Sequence, residues 1–407
     1  MTVAAPAKKS SSPFAGLARR VAIRVVSSLK VGRLTVEFPD GSTAQYGPEY
    51  ATRKATLRIH SDDFFVRVIR GGEIGLGESY MDGLWSSPDL VALLELALAA
   101  RNDVSASAKR WSFLSRLRNR RRHVARRNSV QMSRENIHDH YDLGNDFFRL
   151  FLDETMTYSC AVFASPGQPL KEAQINKYRA LCERVEMRQG DRVLEIGTGW
   201  GGFAMFMAQT YNAKVTTITI SEEQFKLARE RIATAGLSDR IDVQFLDYRK
   251  VTGQYDRIVS IEMFEAVGAE YFETFFKTCE AALKPGGRMG MQVITVPERG
   301  FETQKNGVNW LQKHIFPGGL LPSLAAMEEA LQCTSLIITR VEDIGPHYAV
   351  TLRRWRERFF ENLPAVRALG FTDVFIRKWE YYLASCEAAF STRSIGDLQL
   401  VFEKPSH

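Results

Sequence analysis

The chain has 407 residues, 45% of them hydrophobic and 25% charged, with a formal net charge of +7. That length exceeds one typical domain and predicts a small domain beside a larger one. No stretch approaches the roughly 18 apolar residues that span a bilayer, and five scattered cysteines without a C-x-x-C pair argue against zinc or a disulfide framework and suit a reducing cytoplasm.

Met1 to Pro13 is small and polar, predicts a flexible tail, and lacks the apolar core of a secretory leader. Ala22 to Leu29 is apolar but broken by Arg24, and reads as an amphipathic helix closing a first segment, 1–30. Residues 31–107 predict a small α+β domain. Leu34-Thr35-Val36-Glu37-Phe38 alternates and runs into Pro39-Asp40-Gly41-Ser42, a hairpin signal. Ala55–Ile59 and Phe64–Ile69 read as further strands and Gly71–Asp82 as a glycine-rich loop. Ser87-Pro88-Asp89-Leu90 opens a helix to about Ala99. No catalytic constellation falls in this domain.

Residues 108–130 predict a basic linker. Nine Lys or Arg lie between Lys109 and Arg127 with no acid among them, and Trp111, Phe113 and Leu114 are interleaved. A solvated linker, a nucleic-acid patch and a surface for anionic lipid headgroups all fit that composition. Against an anionic bilayer each cation is worth about 1 kcal/mol.

From 131 to 407 strands alternate with helical patterns. Arg192–Ile196, Lys214–Ile220, Ile241–Phe245, Arg257–Ile261 and Arg288–Ile294 are candidate strands, and Lys284-Pro285-Gly286-Gly287 is a turn feeding the last of these. Leu336–Val341 and Asp397–Phe402 complete the set. The pattern predicts a mostly parallel, doubly wound α/β sheet with sites at the carboxyl ends of its strands. Val193-Leu194-Glu195-Ile196-Gly197-Thr198-Gly199-Trp200-Gly201-Gly202 is the most informative stretch. Its spacing is neither the dinucleotide G-x-G-x-x-G nor a phosphate loop. An ordinary glycine turn has this form, and so does the first motif of S-adenosylmethionine-dependent methyltransferases. Polar groups also follow the other strands: Thr219 to Gln224, Asp247-Tyr248, Glu262-Met263-Phe264-Glu265, and Gln292-Val293-Ile294. Each alone is explained by local structure; Ser221, for example, is a good N-cap with Gln224 in the capping-box place.

The stretch from Asn136-Ile137-His138-Asp139-His140-Tyr141 through Asn145-Asp146-Phe147-Phe148 to Met156-Thr157-Tyr158-Ser159-Cys160 resembles the cyclopropane-fatty-acyl-phospholipid synthase family. So do the glycine turn, Thr219–Gln224, Met263-Phe264-Glu265, Phe316-Pro317-Gly318-Gly319 and Ile344-Gly345-Pro346-His347-Tyr348, in order across the whole catalytic block. Gly71 to Trp85 looks like that family's N-terminal domain. The resemblance implies a Rossmann-like class I methyltransferase domain behind the small α+β domain. It also implies transfer of a methyl from S-adenosylmethionine to a cis double bond of a phospholipid acyl chain. The alkene is the nucleophile, so no Ser-His-Asp arrangement is required. Proton loss from the added methyl closes a cyclopropane ring, and in the family a bound bicarbonate serves as base.

Carried over, the resemblance implies a cofactor set of Tyr158 and Ser159 over the methionine end, and Gly197, Gly199 and Gly201 with Glu195 and Trp200 in the loop. It adds Thr219 and Gln224 on the ribose side, and Tyr248 with Asp247 at the adenine edge. Cys160, Glu265, Ile294 and Tyr348 stand at four places of the bicarbonate shell, Cys160 and Ile294 through their backbones. The fifth place departs: Gln292 stands where the family often has His, and Ala266 follows Glu265 where many members have His. Gln donates a hydrogen bond but carries no proton at neutral pH. Two expectations follow, bicarbonate held through Gln292, or proton removal redirected to give a methylene- or methyl-branched chain. Cys160 also reads as a plain buried hydrophobe, and His138 and His140 at i, i+2 do not make a metal site. Among Trp310, Phe316, Trp355, Phe359 and Phe360, core is the first expectation, with some lining an acyl tunnel.

The expected partners are an anionic phospholipid surface and an unsaturated phospholipid, with no nucleic acid and a possible homodimer. The expected place is the cytoplasm, at the inner face of the membrane. Methylation of a nucleic acid through the basic run, and a non-catalytic lipid-binding protein of the same fold, are the competing readings.

Overall fold

The computed structural model describes residues 14–100 and 143–406. The polar tail, the basic run from Lys109 to Arg127 and the His138/His140 pair lie outside them. The chain divides into two compact units that interleave in sequence. Among the described residues, one comprises 14–100, 307–315 and 363–394; the other comprises 143–306, 316–362 and 395–406. The sequence-based boundary near 131 contains no such interleaving. It assigns Asp373–Ser391, the long helix near the chain's end, to the catalytic block, whereas that helix belongs to the first unit.

The first unit carries a four-stranded sheet in the order β2-β1-β3-β4, with β1 Arg33–Glu37, β2 Thr43–Tyr46, β3 Lys54–Ile59 and β4 Trp85–Ser86. The β1–β2 hairpin forms where the alternation and the Asp40-Gly41 turn place it. Phe64–Ile69 and Gly71–Asp82, read as strand and loop, are instead one helix, Asp63–Met81, kinked at Gly72 with φ 56°. Helix Leu90–Ala99 begins one residue after Asp89, whose carboxylate accepts from the Ala92 amide at 2.9 Å and caps it.

The second unit holds a seven-stranded sheet in the order β10-β11-β9-β8-β5-β6-β7. Its strands are β5 Arg192–Ile196, β6 Lys214–Thr219, β7 Ile241–Phe245, β8 Tyr255–Ile261, β9 Leu283–Thr295, β10 Ile337–Asp343 and β11 Gly396–Glu403. Strands β5 to β9 run parallel; β11 is antiparallel to both of its neighbours. The strand order reverses at β5, so the crevice beyond its carboxyl end is the place for a ligand. Helices cover the sheet through two apolar clusters, one built on Phe264, Phe275, Phe276 and Met291, the other on Phe203, Met207, Val193 and Val259. Among the described residues no helix is long and apolar enough to cross a membrane.

Candidate active site

The glycine turn after β5 needs backbone conformations that only glycine adopts without strain. Gly197, Gly199 and Gly201 have φ of 104°, 52° and 82°. A Cβ on Gly197 would stand 3.3 Å from Met263, whereas one on Gly199 would meet nothing within 4 Å. Protein packing therefore does not claim the space above Gly199, and a ligand can approach the backbone there. Gly201 then caps helix Gly202–Tyr211.

Glu195 lies beneath this turn. Its carboxylate accepts from the Thr217 hydroxyl at 2.5 Å, on the strand directly paired with it. Burial pushes that carboxyl up to about 8. Trp200 donates its indole N–H to Asn145 at 2.6 Å and packs on Phe148, whose ring also meets Tyr158. Thr219 donates to Gln224 at 2.9 Å, and the Ser221 hydroxyl caps helix Glu222–Thr234. The Asp247 carboxylate is held by Arg249 through two N–H donors at 2.8 and 2.7 Å. Tyr248 sets its ring against Phe275, and its hydroxyl is buried without a hydrogen-bond partner. Open space at Gly199, the tight glycine turn and this orphaned hydroxyl after β7, two strands away in the same sheet, fit a nucleoside-bearing cofactor.

Beside the turn lies a polar cluster. Sheet register puts Gln292 of β9 between Ile261 of β8 and Gln399 of β11, and Ile294 beside Asp397. Glu262, the first residue after β8, has φ of 47°, a left-handed conformation uncommon outside glycine. Its carboxylate accepts from the Cys160 backbone N–H at 2.8 Å, the Gln292 amide at 2.7 Å and the Tyr348 hydroxyl at 2.6 Å. Gln399 donates to the Gln292 carbonyl oxygen at 2.8 Å, which turns the Gln292 NH2 toward Glu262. Glu265 accepts from the Ile294 N–H, and its other oxygen is buried without a partner.

Sequence reasoning thus named Cys160, Gln292, Ile294 and Tyr348, and the structure gathers them, but around Glu262 rather than around Glu265 alone. Glu262 was visible as an acid at a strand end; the signal that singles it out is its pairing with a neutral donor at 292. Lys177 and Asp397 were also missed. Lys177 is fully buried on helix Leu170–Arg184 and donates to the Ser159 hydroxyl at 2.6 Å. Burial lowers its ammonium to about 8 against the pull of Glu262, Cys160 and Asp397. Asp397 is held well above the usual carboxylate range by burial and then by the charges of Glu262 and Glu265. Glu265 is pushed up to about 8 by burial and by Glu262. Burial raises Glu262 too, opposed by Tyr348, Lys177, Cys160 and Gln292. Glu262 has three neutral donors and the opposing pull of Lys177, whereas Glu265 is met by the backbone N–H groups of Ile294 and of Glu265 itself and Asp397 by the Gln292 amide at 3.3 Å, so the surroundings favour the negative charge on Glu262.

Cys160 is no nucleophile here: burial, then the carboxylates of Asp397 and Glu262, hold its thiol well above its ordinary value. Among the described residues no cluster fits a metal ion. Trp355 and Phe359 are buried core of this unit, and Trp310 is buried in the other.

Comparison with known proteins places this geometry. Residues 128–400 match the family model for mycolic acid cyclopropane synthetase. Tuberculostearic acid methyltransferase of Mycobacterium tuberculosis is 41% identical over 386 residues, covering 92% of this chain and 88% of that protein. Cyclopropane-fatty-acyl-phospholipid synthase of Escherichia coli is 37% identical over 350 residues, covering 86% and 88%. A crystal structure of a mycolic acid cyclopropane synthase complexed with SAH and CTAB superposes with a TM-score of 0.62 at 32% identity, covering 67% of this chain and 98% of that one.

Proposed function

The chain belongs to the mycolic acid cyclopropane synthetase family of S-adenosylmethionine-dependent methyltransferases, and from that premise we propose that it methylates a cis double bond in a phospholipid acyl chain. The observation that carries this reading is the carboxylate cluster beside the cofactor turn, with no activated nucleophile in it. Methylating a hydroxyl or a protonated amine needs a base that frees a lone pair. Methylating an alkene needs a base only afterwards, when the electron-deficient chain must lose a proton.

S-adenosylmethionine, when bound, supplies an electrophilic sulfonium methyl. The turn from Gly197 to Gly201 would hold it with Thr219 and Gln224 on one side and Tyr158 and Ser159 on the other. Lys177 fixes the Ser159 hydroxyl, and Gln174 holds the Ser159 carbonyl at 2.9 Å, so this segment is anchored from beneath. Phe148, Phe151 and Trp355 pack on the Tyr158 ring, an apolar backing that would help keep water from a cationic chain carbon beside Tyr158.

Two products need no reductant. Loss of a proton from the added methyl closes a cyclopropane ring; loss after the charge has moved to the methylated carbon leaves a methylene branch. The ring is the primary reading. The branch is favoured by Gln292 and by the similarity to a tuberculostearic acid methyltransferase. A saturated methyl branch requires a hydride donor in a further step.

The test is incubation with methyl-labelled S-adenosylmethionine and vesicles of cis-monounsaturated phosphatidylglycerol, followed by carbon NMR of the extracted acyl esters. Cyclopropane methylene signals establish the ring and vinylidene signals the branch; no label in lipid refutes the reading. The basic run from Lys109 to Arg127 would dock the protein on the anionic surface. Neutralising Arg118, Arg120, Arg121 and Arg122 is expected to weaken vesicle binding in a sedimentation assay, and unaltered binding would exclude that role.

A further inference from the structure

The resemblance implies a bicarbonate ion held by Cys160, Glu265, Ile294 and Tyr348, and one of the two expectations at the departing fifth place adds Gln292. As this chain is folded, those groups do not fit one. The Cys160 N–H, the Gln292 amide and the Tyr348 hydroxyl already converge on an anion, and it is the carboxylate of Glu262. The Ile294 N–H is taken by Glu265. A carboxylate presents the same planar pair of oxygens and the same charge as bicarbonate, so donors arranged for one serve the other.

We propose that Glu262 is the built-in anion of this site and takes, in place of bicarbonate, the proton that the methylated acyl chain must lose. The proposal rests on the reading of the protein as an acyl-chain methyltransferase.

Position supports it. Met263, the next residue, packs on Gly197, so Glu262 stands one residue from the contact with the cofactor turn. Its left-handed backbone bends the chain at the end of β8 and aims the carboxylate back under Cys160 instead of along the strand. Fixation supports it as well. Gln399 determines which face of the Gln292 amide points at Glu262. A histidine at 292 would bring its own titration; glutamine gives a donor that stays a donor at any pH. As a residue Glu262 is only partly buried, not sealed in the core. Lys177 is the buried cation that balances its charge.

The step balances without a co-reactant. A C–H bond of the cationic chain breaks, its electron pair stays on carbon to close the ring or form the methylene double bond, and the proton goes to an oxygen of Glu262. The carboxyl becomes neutral and must release that proton before the next turnover.

The test uses the full chain with S-adenosylhomocysteine bound. Carbon-13 bicarbonate is titrated against the wild type, Glu262→Gln and Glu262→Gly, and followed by NMR. Glycine adopts the left-handed conformation at 262 without strain, so the truncation is compatible with the fold. The wild type and Glu262→Gln are expected to show no saturable binding, and Glu262→Gly to bind in the vacated donor set. In the lipid assay, carbon-dioxide-free buffer should leave the wild-type rate unchanged. Glu262→Gln should lose about 100-fold or more, with unchanged affinity for S-adenosylhomocysteine. Glu262→Gly should be inactive without bicarbonate and regain activity with it. Saturable bicarbonate binding by the wild type, a wild-type rate that depends on bicarbonate, or wild-type activity in Glu262→Gln would each overturn the proposal. Absence of lipid methylation by the wild type would refute the functional reading instead, and the binding titration would still decide which anion the site holds.

Discussion

The first unit's buried aromatic cluster and the second unit's buried polar cluster serve different purposes. In the first, Tyr80, Trp85, Trp310 and Tyr381 pack ring against ring, with centroids 4.7 to 6.4 Å apart. Two of these rings close a hydrogen bond locally, Tyr80 to Glu380 at 2.7 Å and Trp85 to Ser79 at 3.0 Å, while the Trp310 indole N–H is buried without a partner; none of the four rings carries a charge. In the second, the sheet's carboxyl edge gathers three acids and a lysine at strain and desolvation cost, with two polar oxygens, one each on Glu265 and Asp397, left unpartnered. Apolar packing lowers the free energy of the fold. Buried, incompletely satisfied charge raises it, and such groups persist where their chemistry is used. The contrast separates residues that hold the protein together from residues that make it act.

The sharpest way to break that contrast is to damage each side. Trp310→Ala removes a ring that is 1% exposed and stands against Tyr381 and Gly77. It should cost about 3–5 kcal/mol in denaturant unfolding, while the folded fraction keeps its affinity for S-adenosylhomocysteine. Lys177→Met works in the other direction. Taking away the cation raises the Glu262 carboxyl further, so less of it is ionised at neutral pH. The acid limb of the pH–rate profile should move to higher pH and activity at pH 7 should fall by about tenfold or more. Lys177, Glu265, Asp397, Cys160 and Tyr348 are the titratable groups facing that carboxylate, and an unmoved limb would show that Glu262 does not set it.

Glu195→Gln tests the desolvation cost itself. A carboxyl raised from 4.5 to about 8 on folding stabilises the protein while it is protonated, and that contribution is lost as pH rises through 8. The neutral isostere should therefore raise the melting temperature more at pH 8.5 than at pH 5. Equal shifts at both would mean that Glu195 is ionised throughout. The smallest effect belongs to Asp89→Ala, which removes one helix cap in the first unit and should cost about 1 kcal/mol with no change in methyl transfer.

How far the sequence could be read follows from the same physics. The catalytic sheet was legible because each parallel strand is a short apolar run that ends in a polar or glycine-rich signal, and all seven candidate strands lie in the sheet. Helix Asp63–Met81 was not. Phe64, Phe65, Val66, Val68 and Ile69 look like a strand, and Gly71, Gly72, Gly75 and Gly77 look like a loop. Only the fold shows why Gly77 is there: a Cβ would stand 2.4 Å from the Trp310 ring, a residue over two hundred positions away. The same limit hid the centre of the site. Glu262 and Glu265 are both acids after β8, and motif spacing selects the second. What selects the first is a backbone angle, a lysine from a distant helix and a glutamine pair across β9 and β11.

The interleaving of the units carries a consequence for synthesis on the ribosome. The strands of the first unit emerge within the first hundred residues, but helix Asp373–Ser391, which belongs to the same unit, is among the last segments made. At about 5–20 residues per second the early sheet waits on the order of 15–60 s for that helix. During that wait the glycine turn and strands β5 to β10 are already being threaded out between its parts. The nascent amino-terminal portion therefore passes through an unfinished stage with uncovered aromatic surface, the stage at which a chaperone has most to hold.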